Sequence, residues 1–246
     1  YDNYQYLISD SAWDHSALNK RISADVNSLI GGCECVLNID ESAFAKKGKD
    51  SAGVSRQWNG RLGKVDNCQV GVFASLCNGS QRSIIDYRLY LPKEWADDPI
   101  RCEKAKIPKE HRIFKTKLEL ALEMIDAAIE QKIDFRWIAA DALYGRDLAL
   151  LYNIDDREKI FVGDIPFNYT VYCEDPQPYM PRRKNKKGPK YKCLRSRSES
   201  VSVSEIYESI EDSQWEDVSI RDTTKGVLKV KAACRKVYVW DGLERR

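Results

Sequence analysis

Two short apolar runs, each closed by an aspartate, constrain the fold of this chain more than any other feature. Cys35-Val36-Leu37-Asn38-Ile39-Asp40 and Phe135-Arg136-Trp137-Ile138-Ala139-Ala140-Asp141 have the length of buried strands rather than helices. Taken singly, each aspartate reads as a cap or turn former, because its short side chain bonds readily to nearby backbone. If the two runs lie side by side, both carboxylates emerge at the same edge of a sheet. They then repel each other unless a cation sits between them.

The rest of the composition narrows the classes. The chain has 246 residues, of which 43% are hydrophobic and 32% charged, enough to bury a sizeable core. Its 40 basic and 38 acidic residues leave a charge of +2, which excludes a uniformly basic DNA-coating protein and leaves local clustering as the source of any nucleic-acid site. A mean hydropathy of -0.55 and the absence of any apolar run of about 18 residues exclude a membrane-spanning helix. The start, Tyr1-Asp2-Asn3-Tyr4, carries no secretion signal and no initiator Met, so the chain is expected to begin inside a longer protein. Its eight cysteines contain no C-x-x-C pair and read as reduced thiols serving as small apolar residues, with Cys33 and Cys35 sharing one face. That pattern points to the cytosol.

Along the chain, Ser11 or Asp14 is expected to cap a helix running to about Leu29, with a buried stripe of Leu18, Ile22, Val26 and Leu29. Gly31-Gly32 stops it. The stretch from Glu41 to Asp66 reads as polar and turn-rich. Strands follow over Gln69–Leu76 and Ser83–Leu91, with Asn78-Gly79 as the hairpin signal between them. A helix over Ile113–Gln131 presents Phe114, Leu118, Leu122, Ile125 and Ile129. After the second acidic run come a short helix from Tyr144 and a strand over Lys159–Asp164. A proline-rich stretch from Glu174 to Ser198 predicts an exposed loop, and the tail predicts a helix near Val203–Ile210 and a hairpin with strands at Val218–Arg221 and Val227–Trp240.

This order, three antiparallel strands and then crossover helices with parallel strands, is the ribonuclease H-like arrangement, an α/β mixed sheet in which the first and fourth strands are parallel neighbours. Asp40 and Asp141 would then face one another. Hard divalent cations such as Mg2+ suit such oxygen ligands and keep waters for substrate phosphates. Metal-assisted phosphoryl transfer follows.

The residues around the first acid resemble a known family. Asn38-Ile39-Asp40-Glu41-Ser42-Ala43-Phe44-Ala45-Lys46-Lys47-Gly48-Lys49, then Ser51–Gln57 and Gly63–Phe73, are similar to the core of bacterial insertion-sequence DDE transposases. Asp141-Ala142-Leu143-Tyr144-Gly145-Arg146-Asp147 resembles the second signature of that family, and Leu7–Asp14 resembles the segment before its catalytic domain. The resemblance implies DNA transposition by Mg2+- or Mn2+-dependent strand cleavage and strand transfer, with Asp40 as first and Asp141 as second catalytic and metal-holding acid. It further implies DNA partners (transposon ends and target), a homodimer, no membrane association, and a cytoplasmic, nucleoid-associated location.

The domains expected are a helical segment at 1–32, a catalytic core at 33–166 and a β-rich insertion with a basic loop at 167–246. The family's third acid is a Glu on a later helix. The chain stops at Arg246 before such a helix, and is therefore expected to be a fragment. Glu205, Glu208 and Glu211 fall within the insertion; Asp164 reads as a turn residue.

For DNA contact, Lys46, Lys47 and Lys49 adjoin the first acid, with Arg56 and Gln57 nearby. Arg182, Arg183, Lys184, Lys186, Lys187, Lys190, Lys192, Arg195 and Arg197 form an acid-free run of nine positive side chains able to release counterions, with Tyr179 and Tyr191 placed to stack on bases. His15 and His111 read as incidental, and Trp137 and Phe135 as core. Two rivals stand beside the transposase: a catalytically incomplete DNA-binding or regulatory remnant, and a non-transposing nuclease of the same fold.

Overall fold

The computed structural model describes Tyr6, residues 14–181, residues 193–240 and Gly242. Residues 7–13, which carry the upstream resemblance and the alternative cap Ser11, and Arg182, Arg183, Lys184, Lys186, Lys187, Lys190, Tyr191 and Lys192 lie outside these described residues.

Asp14 caps the first helix, α1 (His15–Ile30), its Oδ1 accepting the backbone N–H groups of Ser16 at 2.8 Å and Ala17 at 3.1 Å. Of the expected apolar stripe, Val26 packs against the core, but Leu18, Ile22 and Leu29 are exposed, whereas Ser23 and Ile30 are buried. Polar complementarity turned the helix. The Ser23 hydroxyl donates to the Ile85 carbonyl at 2.7 Å, and Asn19 donates to Asp86 at 3.1 Å, so hydrogen bonds to the sheet outweigh the apolar periodicity.

The chain then builds β1 (Val36–Ala45), β2 (Ser55–Asn59), β3 (Lys64–Asn78) and β4 (Gln81–Leu89). Two expectations need correction. The first acidic run does not end at Asp40, because β1 continues to Ala45 by antiparallel pairing with β3, from Val36 opposite Cys77 to Ala45 opposite Cys68. The polar stretch beyond it also contains β2, whose side chains are too polar to show strand alternation but whose backbone pairs with the start of β3. The β3–β4 hairpin forms as expected, with the turn at Gly79, whose φ of +57 favours glycine.

Short helices α2 (Lys93–Ala96) and α3 (Pro99–Lys104) form a small cluster around the fully buried Trp95. The next helix, α4 (Lys117–Glu130), starts later than expected because Thr116 and Glu119 form a reciprocal capping box. It buries Leu120, Ala121, Met124, Ile125 and Ala128; Phe114 and Ile129 stay exposed. Strand β5 (Trp137–Ala140), the short helix α5 (Ala142–Gly145), α6 (Leu148–Asp155) and β6 (Ile160–Gly163) complete the first of two units, Tyr1–Asp164.

The six-stranded sheet of this unit is mixed. Its order is β2-β3-β1-β5-β6, with β4 also on β3; β1, β5 and β6 run parallel and β3 runs against β1. Residues from α1, α4, α5 and α6 share one core with Leu37 and Ile39 of β1, Val72, Ala74 and Leu76 of β3, and Ile138 of β5. Phe135 joins this core, whereas Trp137 is only half-buried, with Arg136 5.4 Å from its ring centroid. All eight cysteines are free; Cys35, Cys68 and Cys102 are buried, but Cys33 is exposed and does not share the face of Cys35.

The second unit, Ile165–Arg246, holds the two-residue strands β7 (Thr170–Val171) and β8 (Val201–Ser202), the helix α7 (Val203–Glu208), and a hairpin of β9 (Glu216–Thr223) and β10 (Gly226–Ala232). The last strand ends at Ala232, short of the expected Trp240. Every residue of the hairpin is exposed. Among the described residues, no helix is long and apolar enough to cross a membrane.

Candidate active site

The parallel register of β1 and β5 decides where the two acids meet. Val36, Leu37 and Asn38 pair with Trp137, Ile138 and Ala139. The same offset carried two residues on sets Asp40 opposite Asp141. Alternation along β1 buries Leu37 and Ile39 against the helices, which leaves Asp40 on the other face, open to solvent. The Asp141 charge is felt at Asp40.

Partial burial by the surrounding sheet is the main reason the Asp40 carboxyl lies above its ordinary range, reinforced by the charges of Glu41 and Asp141. The Glu41 backbone N–H, which donates to Asp40 Oδ1 at 2.8 Å, and the Lys117 ammonium pull it back. Asp141 follows β5 directly and acts as N-cap of α5, with Oδ1 accepting the Leu143 N–H at 2.9 Å. The cap reading of that residue is borne out, and the cap occupies one carboxylate oxygen.

Behind the acids lies a cluster that the sequence reading passed over. Glu41, beside Asp40, accepts Lys117 Nζ on Oε1 at 2.7 Å and the Tyr144 hydroxyl on Oε2 at 3.0 Å. Tyr144 is wholly buried, and burial, then the Glu41 charge, drives its phenol far above the usual tyrosine range. It stays protonated and donates. Gly145 follows for a steric reason: a Cβ there would collide with the Asp164 carbonyl. The sequence did carry signals for this cluster, in Tyr144-Gly145 within the second motif and in Thr116-x-x-Glu119, which puts Lys117 in the first turn of α4.

The basic loop after β1 is braced from below. Asn67 Nδ2 donates to the carbonyls of Lys46 at 2.6 Å and Gly48 at 2.9 Å, Gln69 donates to Ala52 at 2.7 Å, and Arg101 donates to Lys49 and Val54 at 3.2 Å each. Lys47 and Lys49 are exposed on this frame, and Lys46 is half-buried. Arg56 is exposed on β2, but Gln57 spends its amide on the Cys68 carbonyl at 2.8 Å.

Other sequence candidates fall elsewhere. Asp164 follows β6 at the position that the β5–β6 register sets opposite Asp141. Glu205 serves the capping box of α7 in the second unit, where Arg197 also lies 5.5 Å from the Tyr179 ring centroid. His15 and His111, distant in sequence, both line one cavity of about 590 Å³ together with Asp86, Arg88 and Lys115; neither Asp40 nor Asp141 lines it.

Among the described residues, no group of three or more His, Cys, Asp or Glu is arranged around a metal position. Asp40 and Asp141 each carry a carboxylate, the oxygen donor type that a hard divalent cation would take.

A family model described as DDE superfamily endonuclease matches residues 1–227. The chain is similar to a curated protein of Microchaete diplosiphon, "Probable transposase for insertion sequence element IS701", at 26% identity over 188 residues, covering 70% of this chain and 46% of that protein. The chain thus spans about half the length of the relative it matches. No solved structure matches.

Proposed function

Because the chain belongs to the DDE superfamily endonuclease family, we propose that it carries the catalytic portion of an insertion-sequence transposase that cuts DNA and joins the cut ends to a target. The observation that carries this reading is the parallel pairing of β1 and β5, whose register, carried two residues on, sets Asp40 opposite Asp141. In this reading the fold is ribonuclease H-like, with a helical segment at 1–32, the catalytic core at 33–166 and a β-rich insertion at 167–246. The protein acts as a homodimer in the bacterial cytoplasm, on the nucleoid.

Asp40 and Asp141 hold the divalent cation, Mg2+ or Mn2+. Once bound, the cation supplies Lewis-acid stabilisation of charge on the phosphate and makes water a better nucleophile. In the first reaction a water oxygen attacks phosphorus, and the bond from phosphorus to the 3′ oxygen breaks, freeing a 3′-hydroxyl. In the second, that hydroxyl attacks a target phosphate and displaces another 3′ oxygen, so the number of phosphodiester bonds is conserved. Lys46, Lys47, Lys49 and Arg56 hold the phosphate backbone, and the basic run of Arg182, Arg183, Lys184, Lys186, Lys187, Lys190 and Lys192 contacts DNA as well. The braced loop supports the first set, since its frame is in place before DNA arrives.

The test is divalent-cation-dependent nicking of the element's end DNA by the full-length protein, alongside Asp40→Asn and Asp141→Asn. Either variant is expected to lose at least about a hundredfold in rate, at the upper end of losses seen for weaker, outer-shell changes. Nicking at the parental rate in either variant removes that residue from the mechanism. Binding without nicking by the parent protein identifies a DNA-binding remnant instead.

A further inference from the structure

We propose that Tyr144, Glu41 and Lys117 form a positioning strut that fixes the gap between Asp40 and Asp141, an inference that rests on reading those aspartates as the metal-holding pair. The paired positions of β1 and β5 end at Asn38 and Ala139, two residues short of the acids. Beyond that point no β1–β5 pairing ties the segments bearing the two carboxylates: β1 continues along β3, and the chain after β5 turns into α5. The Tyr144–Glu41 hydrogen bond, at 3.0 Å, reconnects them. Tyr144 belongs to the helix that Asp141 caps, and Glu41 is joined by a peptide bond to Asp40.

The strut is fixed at every joint. The Tyr144 ring is wholly buried in the core, so its hydroxyl has little freedom. Lys117 holds the other Glu41 oxygen at 2.7 Å, and both side chains are about four-fifths buried, at 21% and 20% exposure. Lys117 is placed in turn by the Thr116–Glu119 capping box, and its ammonium lies 5.9 Å from the Tyr90 ring centroid. With both oxygens engaged by donors on the helix side of the sheet, Glu41 is not a ligand on the Asp40 face. It acts through its neighbour, as an outer-shell partner orients a ligand.

Binding of Mn2+ alone to the 246-residue chain, followed by electron paramagnetic resonance and calorimetry, tests the strut without relying on nicking. Tyr144→Phe keeps the ring and deletes the hydroxyl. It is expected to weaken Mn2+ binding by about tenfold or more, as outer-shell losses do, while the circular dichroism spectrum stays native. Lys117→Met is the second variant; it keeps the length of the side chain and removes only its charge and hydrogen bond. Coulomb repulsion alone predicts tighter Mn2+ binding once this positive charge is gone. The strut predicts weaker binding, with recovery in Lys117→Arg.

Parental or tighter Mn2+ binding in Lys117→Met overturns the strut, as does parental binding in a folded Tyr144→Phe. Asp40→Asn separates the two layers of the argument. If it abolishes Mn2+ binding while Lys117→Met does not weaken it, only the strut falls. If Asp40→Asn binds Mn2+ like the parent, or the parent binds none, the metal-holding pair falls and takes the strut with it.

Discussion

One carboxylate oxygen of Asp141 accepts the backbone N–H of Leu143 at 2.9 Å, so the residue that ends the β5 run also starts α5. Capping and chemistry can therefore be separated by choice of substitution. Asn caps as well as Asp, whereas Ala does not cap, and its loss costs about 1 kcal/mol. Asp141→Asn is expected to melt with the parent and Asp141→Ala several degrees lower, with nicking lost in both. Equal melting of the two variants, read by calorimetry, would contradict the cap.

Asp40 gives a pH signature in metal-free buffer. Its carboxyl is raised above the ordinary 3.8, chiefly by burial. Between the ordinary and the raised value, the native state holds more proton than the unfolded chain. Stability from this group therefore falls as pH rises through that window and stays lower above it. Asp40→Asn lacks the penalty. Its advantage over the parent should be absent near pH 3 and grow towards neutrality, as measured by urea midpoints across the range; an advantage independent of pH would refute this.

At Gly145 the close approach to the Asp164 carbonyl sets a steric demand. Gly145→Ala is expected to destabilise by about 1–3 kcal/mol through overpacking. The urea midpoint should fall without a change in the slope of the transition. A parental midpoint would show that α5 can shift to admit the methyl group.

The braced basic loop predicts two different responses to salt. On the proposed DNA contact, Lys47→Ala and Lys49→Ala should each reduce the salt slope of nonspecific duplex binding by about 0.9. Asn67→Ala removes only the support under Lys46 and Gly48. It should weaken binding at every salt concentration while leaving the slope unchanged. A reduced slope in Asn67→Ala would mean that Asn67 meets the phosphate itself.

The strands with apolar alternation were legible in the sequence, and so was the register that matters, because the Asp40 and Asp141 runs are short, apolar and each closed by an acid. What escaped was structure held by polar atoms. The β2 strand is written in Ser55, Arg56, Gln57, Trp58 and Asn59, and its place is set by backbone pairing with β3 rather than by hydrophobicity. The α1 face was misassigned because Ser23 and Asn19 bond to the sheet. Glu41 looked like one more charge in a polar loop, since only the fold brings Lys117 and Tyr144 to it from 76 and 103 residues away.

The continuation of β1 past its first acid means that the two carboxylates are held by different means. Asp40 sits within an unbroken ladder, opposite Phe73, with paired residues on both sides. Asp141 sits at a corner between a four-residue strand and a four-residue helix. Asp40 is thus held by backbone pairing on β1, whereas Asp141 is held by its cap and by the Tyr144–Glu41 bond, so deleting the Tyr144 hydroxyl should disturb the Asp141 side more than the Asp40 side.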